Sequence, residues 1–135
     1  MTALKTVGLL SVQQRKLLLA YSRNKQCFYL PGGKVDAGES EREALCREIA
    51  EELNVRMAEE ELVYYTHITA PAFGEKEGVI MEQDCYWLHR DIVPEPAAEI
   101  GEVRFFSVAD YSMQAAQAPG VIAILNKLKQ EGFID

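Results

Sequence analysis

The chain has 135 residues, 48% hydrophobic and 26% charged, which is the size and composition of one globular domain, 1–135, with a single core. Its 21 Asp and Glu against 14 Lys and Arg leave a net charge of −7, which argues against a nucleic-acid duplex as partner because such binding rests on Lys and Arg neutralising phosphates. A small anionic ligand is still compatible with that balance where a metal ion supplies the local positive charge.

Three cysteines, Cys27, Cys46 and Cys85, are odd in number and lack a Cys-x-x-Cys spacing, so neither a disulfide framework nor a zinc site is expected. No apolar run of about 18 residues is present to span a bilayer, and Met1 to Val12 lacks the marks of a signal peptide. The reading is a cytoplasmic protein without a membrane partner.

Leu4 to Val12 is rich in Leu, Val and Thr and reads as a strand, Gln13 to Arg15 as a turn, and Lys16 to Tyr21 as a second strand, together a hairpin. Ser22 to Gln26 is a polar loop whose Arg23 and Lys25 either meet substrate phosphates or are simply solvated. Phe28 to Leu30 is a short strand, and Pro31 stiffens the entry to a glycine loop with Gly32, Gly33 and Gly38. Ser40 and Glu43 then form a capping box, so a helix starts at Ser40 or Glu41. Leu45, Ile49 and Leu53 make its apolar stripe, widened by Cys46 and Ala50, while Glu52 lies only about 20° from Leu45 on the helical wheel, at the margin of that stripe.

Beyond an acidic connector at Met57 to Glu61, Leu62 to Ala70 has strand composition, with His67 read as a packed or surface histidine. Pro71 to Gly78 reads as a loop over the sheet that forms part of a substrate pocket. Val79 to Ile92 is a further strand region, in which Tyr86 and Trp87 are read as core in preference to a base-stacking pair, and His89 as structural. Val93 to Ala98 is a loop and Val103 to Ser107 a strand. Ser107 and Asp110 form a second cap, and Val121, Ile122, Leu125 and Leu128 mark a closing helix that begins near Pro119.

The chemistry concentrates between Leu30 and Val55. Glu39, Glu41, Glu43, Glu48, Glu51 and Glu52 face only Arg42 and Arg47 there, and like charges one turn apart destabilise a helix by about 0.2–0.5 kcal/mol per pair. A solvated acidic helix is the plain reading. A hard divalent cation, Mg²⁺ or Mn²⁺, shared with a substrate phosphate relieves the same deficit, and the glycines let a backbone carbonyl approach it.

From Gly33, five residues lead to Glu39, seven more to Arg47, and then follow Glu48, Ile49, Ala50, Glu51, Glu52, Leu53, Asn54 and Val55. The stretch resembles the Nudix box, G-x(5)-E-x(7)-R-E-U-x-E-E-x-G-U with U aliphatic, departing from it only where Asn54 replaces glycine. Asn also tolerates the left-handed conformation that ends a helix.

The resemblance implies a mixed α/β fold, an αβα sandwich with a mixed sheet between helices. It implies a hydrolase of the pyrophosphate bond in a nucleoside diphosphate joined to another group. Mg²⁺ or Mn²⁺ would be held by Glu48, Glu51, Glu52 and the Gly33 carbonyl, with Glu39 and Arg47 bracing the loop against the helix. The general base is left open among Glu48, Glu51 and Glu99, in that order of preference, with Glu102 in reserve to Glu99. Arg23, Lys34 and Phe28 are the substrate-contact candidates. A nucleoside triphosphate, normal or oxidised, is the favoured substrate; ADP-ribose or a nucleotide sugar is the alternative, with Pro71 the cue toward ADP-ribose. A non-hydrolysing nucleotide-binding module is the reading from another class, and the oligomeric state, a homodimer included, is open.

Overall fold

The computed structural model describes residues 2–135. Strand β1 (Thr2–Leu10) runs parallel to β7 (Val79–Leu88) in unbroken register from Thr2 opposite Val79 to Leu10 opposite Trp87. Its other edge pairs antiparallel with the short β5 (Gly32–Lys34), and β6 (Leu62–Pro71) closes the far side, so the order β5-β1-β7-β6 makes a mixed sheet. A second, antiparallel sheet is built on β3 (Lys16–Ser22), with β8 (Ile100–Phe106) along one edge and β2 (Val12–Gln13) and β4 (Cys27–Tyr29) along the other.

The expected hairpin between the first two strands is corrected. Both edges of β1 are taken by β5 and β7, so the chain leaves that sheet at Ser11, and the hairpin joins only β2 to β3. Its turn residues, Gln14 and Arg15, both have positive φ, 51° and 63°, the geometry whose twist matches a tight antiparallel pair.

Strand alternation splits the core in two. Leu18 and Ala20 point toward helix α1 (Glu41–Leu53) and pack with Leu45, Ile49 and Leu53, whereas Leu17 and Leu19 point the other way. That opposite face is covered by α3 (Pro119–Gln130), through Val121, Ile124, Leu125 and Leu128, together with Tyr111 of the short α2 (Val108–Ser112). The result is the expected layering, helix on strands on helix. Two helix faces differ in detail from the sequence pattern: Ala44 is buried and Ala50 exposed on α1, and Ile122 is 39% exposed on α3 while Ile124 is buried. On α3 the buried Ile124 sits closer to the middle of the apolar stripe than Ile122.

Both capping boxes form. Ser40 Oγ accepts from the Glu43 amide at 3.1 Å and Glu43 Oε1 accepts from the Ser40 amide at 2.9 Å, while Ser107 and Asp110 do the same for α2. Helix α1 ends on Asn54 in the left-handed region, φ 54° and ψ 38°, its amide donating to the Ala50 carbonyl. Trp87 and Tyr86 are core side chains of opposite cores, and His89 stacks on Trp87 at 5.5 Å. Among the described residues no helix is long and apolar enough to cross a membrane.

His67 is a surface histidine of β6, its Nδ1 2.8 Å from Asp84 Oδ1 and its Nε2 3.1 Å from Glu82 Oε1, and these two carboxylates raise its pKa above 6.5. A raised value favours the folded state fully below the unfolded pKa, and the contribution is lost as pH rises through the folded one. His67→Gln should therefore flatten the part of the melting-temperature decline that begins above about pH 6.5, read by thermal denaturation across pH 5–9. Asn54→Val, which forces a β-branched residue into the left-handed cap, should cost about 1–2 kcal/mol in urea unfolding, and Asn54→Gly should stay within about 1 kcal/mol of wild type.

Candidate active site

Helix α1 presents its glutamates to the edge of the mixed sheet where β5 is only three residues long. Gly32 stands there with φ 145°, and a Cβ would lie 2.0 Å from the Val7 carbonyl oxygen, so only glycine passes. Gly33 leaves room for the helix instead: a Cβ would sit 2.6–2.9 Å from the Glu48 carboxyl atoms and displace them from their present place. The glycine pair is the gap into which two helix carboxylates fit.

Glu52 is 9% exposed, and its Oε1 accepts a 3.0 Å hydrogen bond from the Gly32 amide. Burial, reinforced by the charges of Glu48, Glu99 and Glu51, pushes its pKa up to about 8 despite that bond. Burial also raises Glu48, against the opposing pull of Arg47. Arg47 forks onto Glu39, with Nε 2.7 Å from Oε2 and Nη2 2.9 Å from Oε1, gives Nη1 to Glu48 at 2.9 Å, and reaches the Lys34 carbonyl at 3.2 Å. That fork holds Glu39 well below the usual carboxylate range, at about 2. Arg47 thereby ties the glycine loop to α1, and of the two glutamates one turn away on the helix it lies 3.8 Å from Glu51, while Glu43 is occupied by the cap.

The carboxylates border a cleft of about 430 Å³. Gly32, Gly33, Lys34, Glu48, Glu52 and Glu99 line it, and Asn24 Nδ2 donates to Glu99 Oε2 at 2.6 Å. Leu4, Tyr29, Leu30, Phe73 and Met81 supply an apolar end, closed over by an ion pair between Lys25 Nζ and Glu75 at 3.0 Å. Glu75 and Phe73 belong to the loop between β6 and β7 that was read as part of a substrate pocket.

Four sequence candidates fall elsewhere. Phe28 is 3% exposed and packs edge-on against Tyr21 and Phe106, 5.1 and 4.9 Å away, with Arg104 over its face. Alternation along β4 sends Phe28 into the core and its neighbour Tyr29 to the cleft, a period-two signal present in the sequence. Arg23 is not a lining residue; its Nη1 donates to the Ala98 carbonyl at 3.3 Å. Glu102 pairs with Arg104 at 2.7 Å on β8. Glu51 lies on the solvent side of α1, its side chain 57% exposed, and does not line the cleft. Tyr29, Phe73 and Met81 were not singled out from sequence, because apolar side chains that line a cleft look like any others.

Among the described residues no three His, Cys, Asp or Glu side chains converge in a metal-binding geometry. Arg47 draws Glu48 toward Glu39, and like-charge repulsion keeps Glu51 outward. The donor set nevertheless suits a hard cation: oxygen ligands only, one of them a carboxylate buried without any cationic partner.

The NUDIX domain family matches this chain over residues 2–127. A putative 8-oxo-dGTP diphosphatase 2 of Mycobacterium tuberculosis is 67% identical over 30 residues, 22% of this chain, so the match spans about a fifth of that relative's length (21%). Among solved structures, the E. coli ORF135 protein is 25% identical with a TM-score of 0.72, covering 100% of this chain and 96% of that one. A MutT NUDIX hydrolase from Burkholderia pseudomallei, 21% identical, has a TM-score of 0.73 over 94% of this chain and 98% of its own. The MutT protein from Methanosarcina mazei, 17% identical, has a TM-score of 0.77 over 96% and 95%. The last two likenesses concern the fold alone.

Glu52→Gln replaces a buried ionisable carboxyl with a neutral group while keeping an acceptor for the Gly32 amide. It should raise the melting temperature of the metal-free protein by several degrees. It should also abolish most of the rise that Mn²⁺ produces in wild type, both read by thermal denaturation with and without chelator.

Proposed function

The chain belongs to the Nudix hydrolase family, and on that premise we propose that it hydrolyses the pyrophosphate bond of a nucleoside diphosphate joined to another group, a nucleoside triphosphate in the first place. The observation that carries this reading is the carboxylate Glu52, buried beside Glu48 against Gly32 and Gly33 at the border of a cleft of about 430 Å³. A cleft of that size suits a nucleotide. The 30-residue likeness to a protein named as an 8-oxo-dGTP diphosphatase supports triphosphates, oxidised ones included, over ADP-ribose or a nucleotide sugar. Pro71, the cue for the alternative, lies on β6 beside a minor cavity and not on the main cleft.

Glu48, Glu51, Glu52 and the Gly33 carbonyl would hold Mg²⁺ or Mn²⁺, which when bound stabilises negative charge on the phosphoryl oxygens. Glu51 must rotate inward from solvent to take part. Lys34 borders the cleft next to Gly33 and would neutralise phosphate charge there, whereas Lys25 is paired with Glu75. Arg47 positions the ligands: by gripping Glu39 and the Lys34 carbonyl it holds the glycine loop at the height of Glu48 and Glu52.

Among the three candidate bases the geometry favours Glu99. It stands outside the helix, faces the cleft, and is oriented by Asn24 with one oxygen left free. In the proposed step a water oxygen forms a bond to phosphorus as the bridging P–O bond breaks. The water's proton passes to Glu99, and the leaving phosphate takes the bond's electron pair.

A turnover screen with Mg²⁺ or Mn²⁺ across normal and oxidised triphosphates, ADP-ribose, nucleotide sugars and dinucleoside polyphosphates should release phosphate products from the triphosphates most efficiently. Glu99→Gln should lower kcat about 10²–10⁴-fold with little change in the Mn²⁺-induced stabilisation. Glu48→Gln should lose both. Full turnover in both Glu48→Gln and Glu52→Gln is the result that overturns the site, and metal-dependent nucleotide binding without any product would favour a non-hydrolysing module.

A further inference from the structure

The apolar end of the cleft holds one polar side chain that the hydrolytic reading does not use. Gln83 of β7 is 8% exposed and lines the cleft, yet its carboxamide makes no hydrogen bond to any described residue. Other polar side chains of that wall are already engaged: Thr6 Oγ1 donates to the Glu82 carbonyl at 3.5 Å, and Ser22 Oγ accepts from the Lys25 amide at 3.2 Å. Its polar atoms are not among those sealed from solvent, so the open valences face the cleft.

The neighbours show a place made for it. Gly8 of β1 lies beneath Gln83, and a Cβ there would stand 3.2 Å from both Cδ and Nε2 of the glutamine and 2.9 Å from Leu30. Glycine at this position leaves room for the carboxamide where it stands. Around it Met81 and Leu30 are apolar, and Tyr29 and Phe73 sit 6.2 Å apart with planes at 41°, joined by the Tyr29 hydroxyl donating to the Phe73 carbonyl at 3.0 Å. A small cavity of about 20 Å³ continues from the same residues toward Gly120 and Val121 of α3.

We propose that Gln83 is the specificity-determining residue of this site, and that it reads the edge of a nucleobase seated between Tyr29, Phe73, Met81 and Leu30. This rests on the nucleotide-hydrolase reading and deepens it. A carboxamide offers one donor and one acceptor side by side, so it pairs with a base edge that carries an acceptor beside a donor, while the apolar walls take the ring faces. The phosphates then run toward Glu48 and Glu52, at the other side of the same cleft.

Calorimetric titration of the Mg²⁺-loaded protein with non-hydrolysable α,β-methylene triphosphates of the four common bases separates base reading from catalysis, with inorganic tripolyphosphate as the base-free probe. Wild type should prefer at least one base. Gln83→Met, equal in length and apolar, should weaken that nucleotide about 10–100-fold and leave tripolyphosphate unchanged. Gln83→Glu, an acceptor only when ionised, should shift preference toward guanine, whose N1–H and N2–H₂ present adjacent donors. The proposal is overturned if Gln83→Met keeps the wild-type affinities and their order, if it weakens tripolyphosphate equally, or if wild type has no base preference. Turnover of the ordinary triphosphates is scored separately. Base discrimination lost in Gln83→Met without any turnover in wild type sinks the hydrolase reading and keeps Gln83, and turnover with unchanged preference in Gln83→Met does the reverse.

Discussion

A carboxylate placed under a sheet edge is the constraint from which the rest of this molecule follows. Glu52 occupies a position on α1 that the apolar stripe would otherwise claim, and its only hydrogen bond among the described residues comes from the Gly32 amide. Burial of an unpaired carboxylate is unfavourable, so the surroundings have to admit it: two glycines to clear space, a three-residue strand that leaves the sheet edge short, and Glu48 and Glu99 close enough to add to the strain. None of these features improves packing. Each becomes intelligible once a cation is allowed for.

The neighbouring Arg47 network shows how the same helix keeps this arrangement from collapsing. One guanidinium answers Glu39, Glu48 and the Lys34 carbonyl together, so the loop and the helix move as a unit. A lysine there has neither the fork nor the reach for three acceptors. The capping box at Ser40 and the left-handed Asn54 fix the two ends of the helix, and with them the height at which the carboxylates meet the glycines.

The cleft joins two chemically distinct halves. Its acidic border comes from α1 and the glycine strand before it, with Glu99 added from the turn ahead of β8. Its apolar end is assembled from β1, β4, β7 and the loop after β6, residues far apart in the chain, with Gln83 among them. On the proposed reading, the carboxylates that would hold a metal therefore come chiefly from local sequence, and contacts for the remainder of the ligand from the sheet.

That division also separates what could be read beforehand from what could not. Helix limits, both capping boxes, the role of Asn54 and the marginal placement of Glu52 depend on spacings within a few residues, and helical geometry turns such spacings directly into positions in space. Strand partners depend on which edges are free after the whole chain has folded, so the hairpin expected of the first two strands gave way to a parallel pairing of β1 with β7, more than seventy residues away. For the same reason Phe28 and Arg23, plausible by proximity to the glycine loop, turned out to face the core and the Ala98 carbonyl. By itself the sequence determined the family, through the spacing of the box, and the helix that carries Glu48 and Glu52, because helical geometry follows from local periodicity. Only the tertiary structure decided which side chains form the far wall of the cleft, since that wall exists through strand pairings no local pattern encodes.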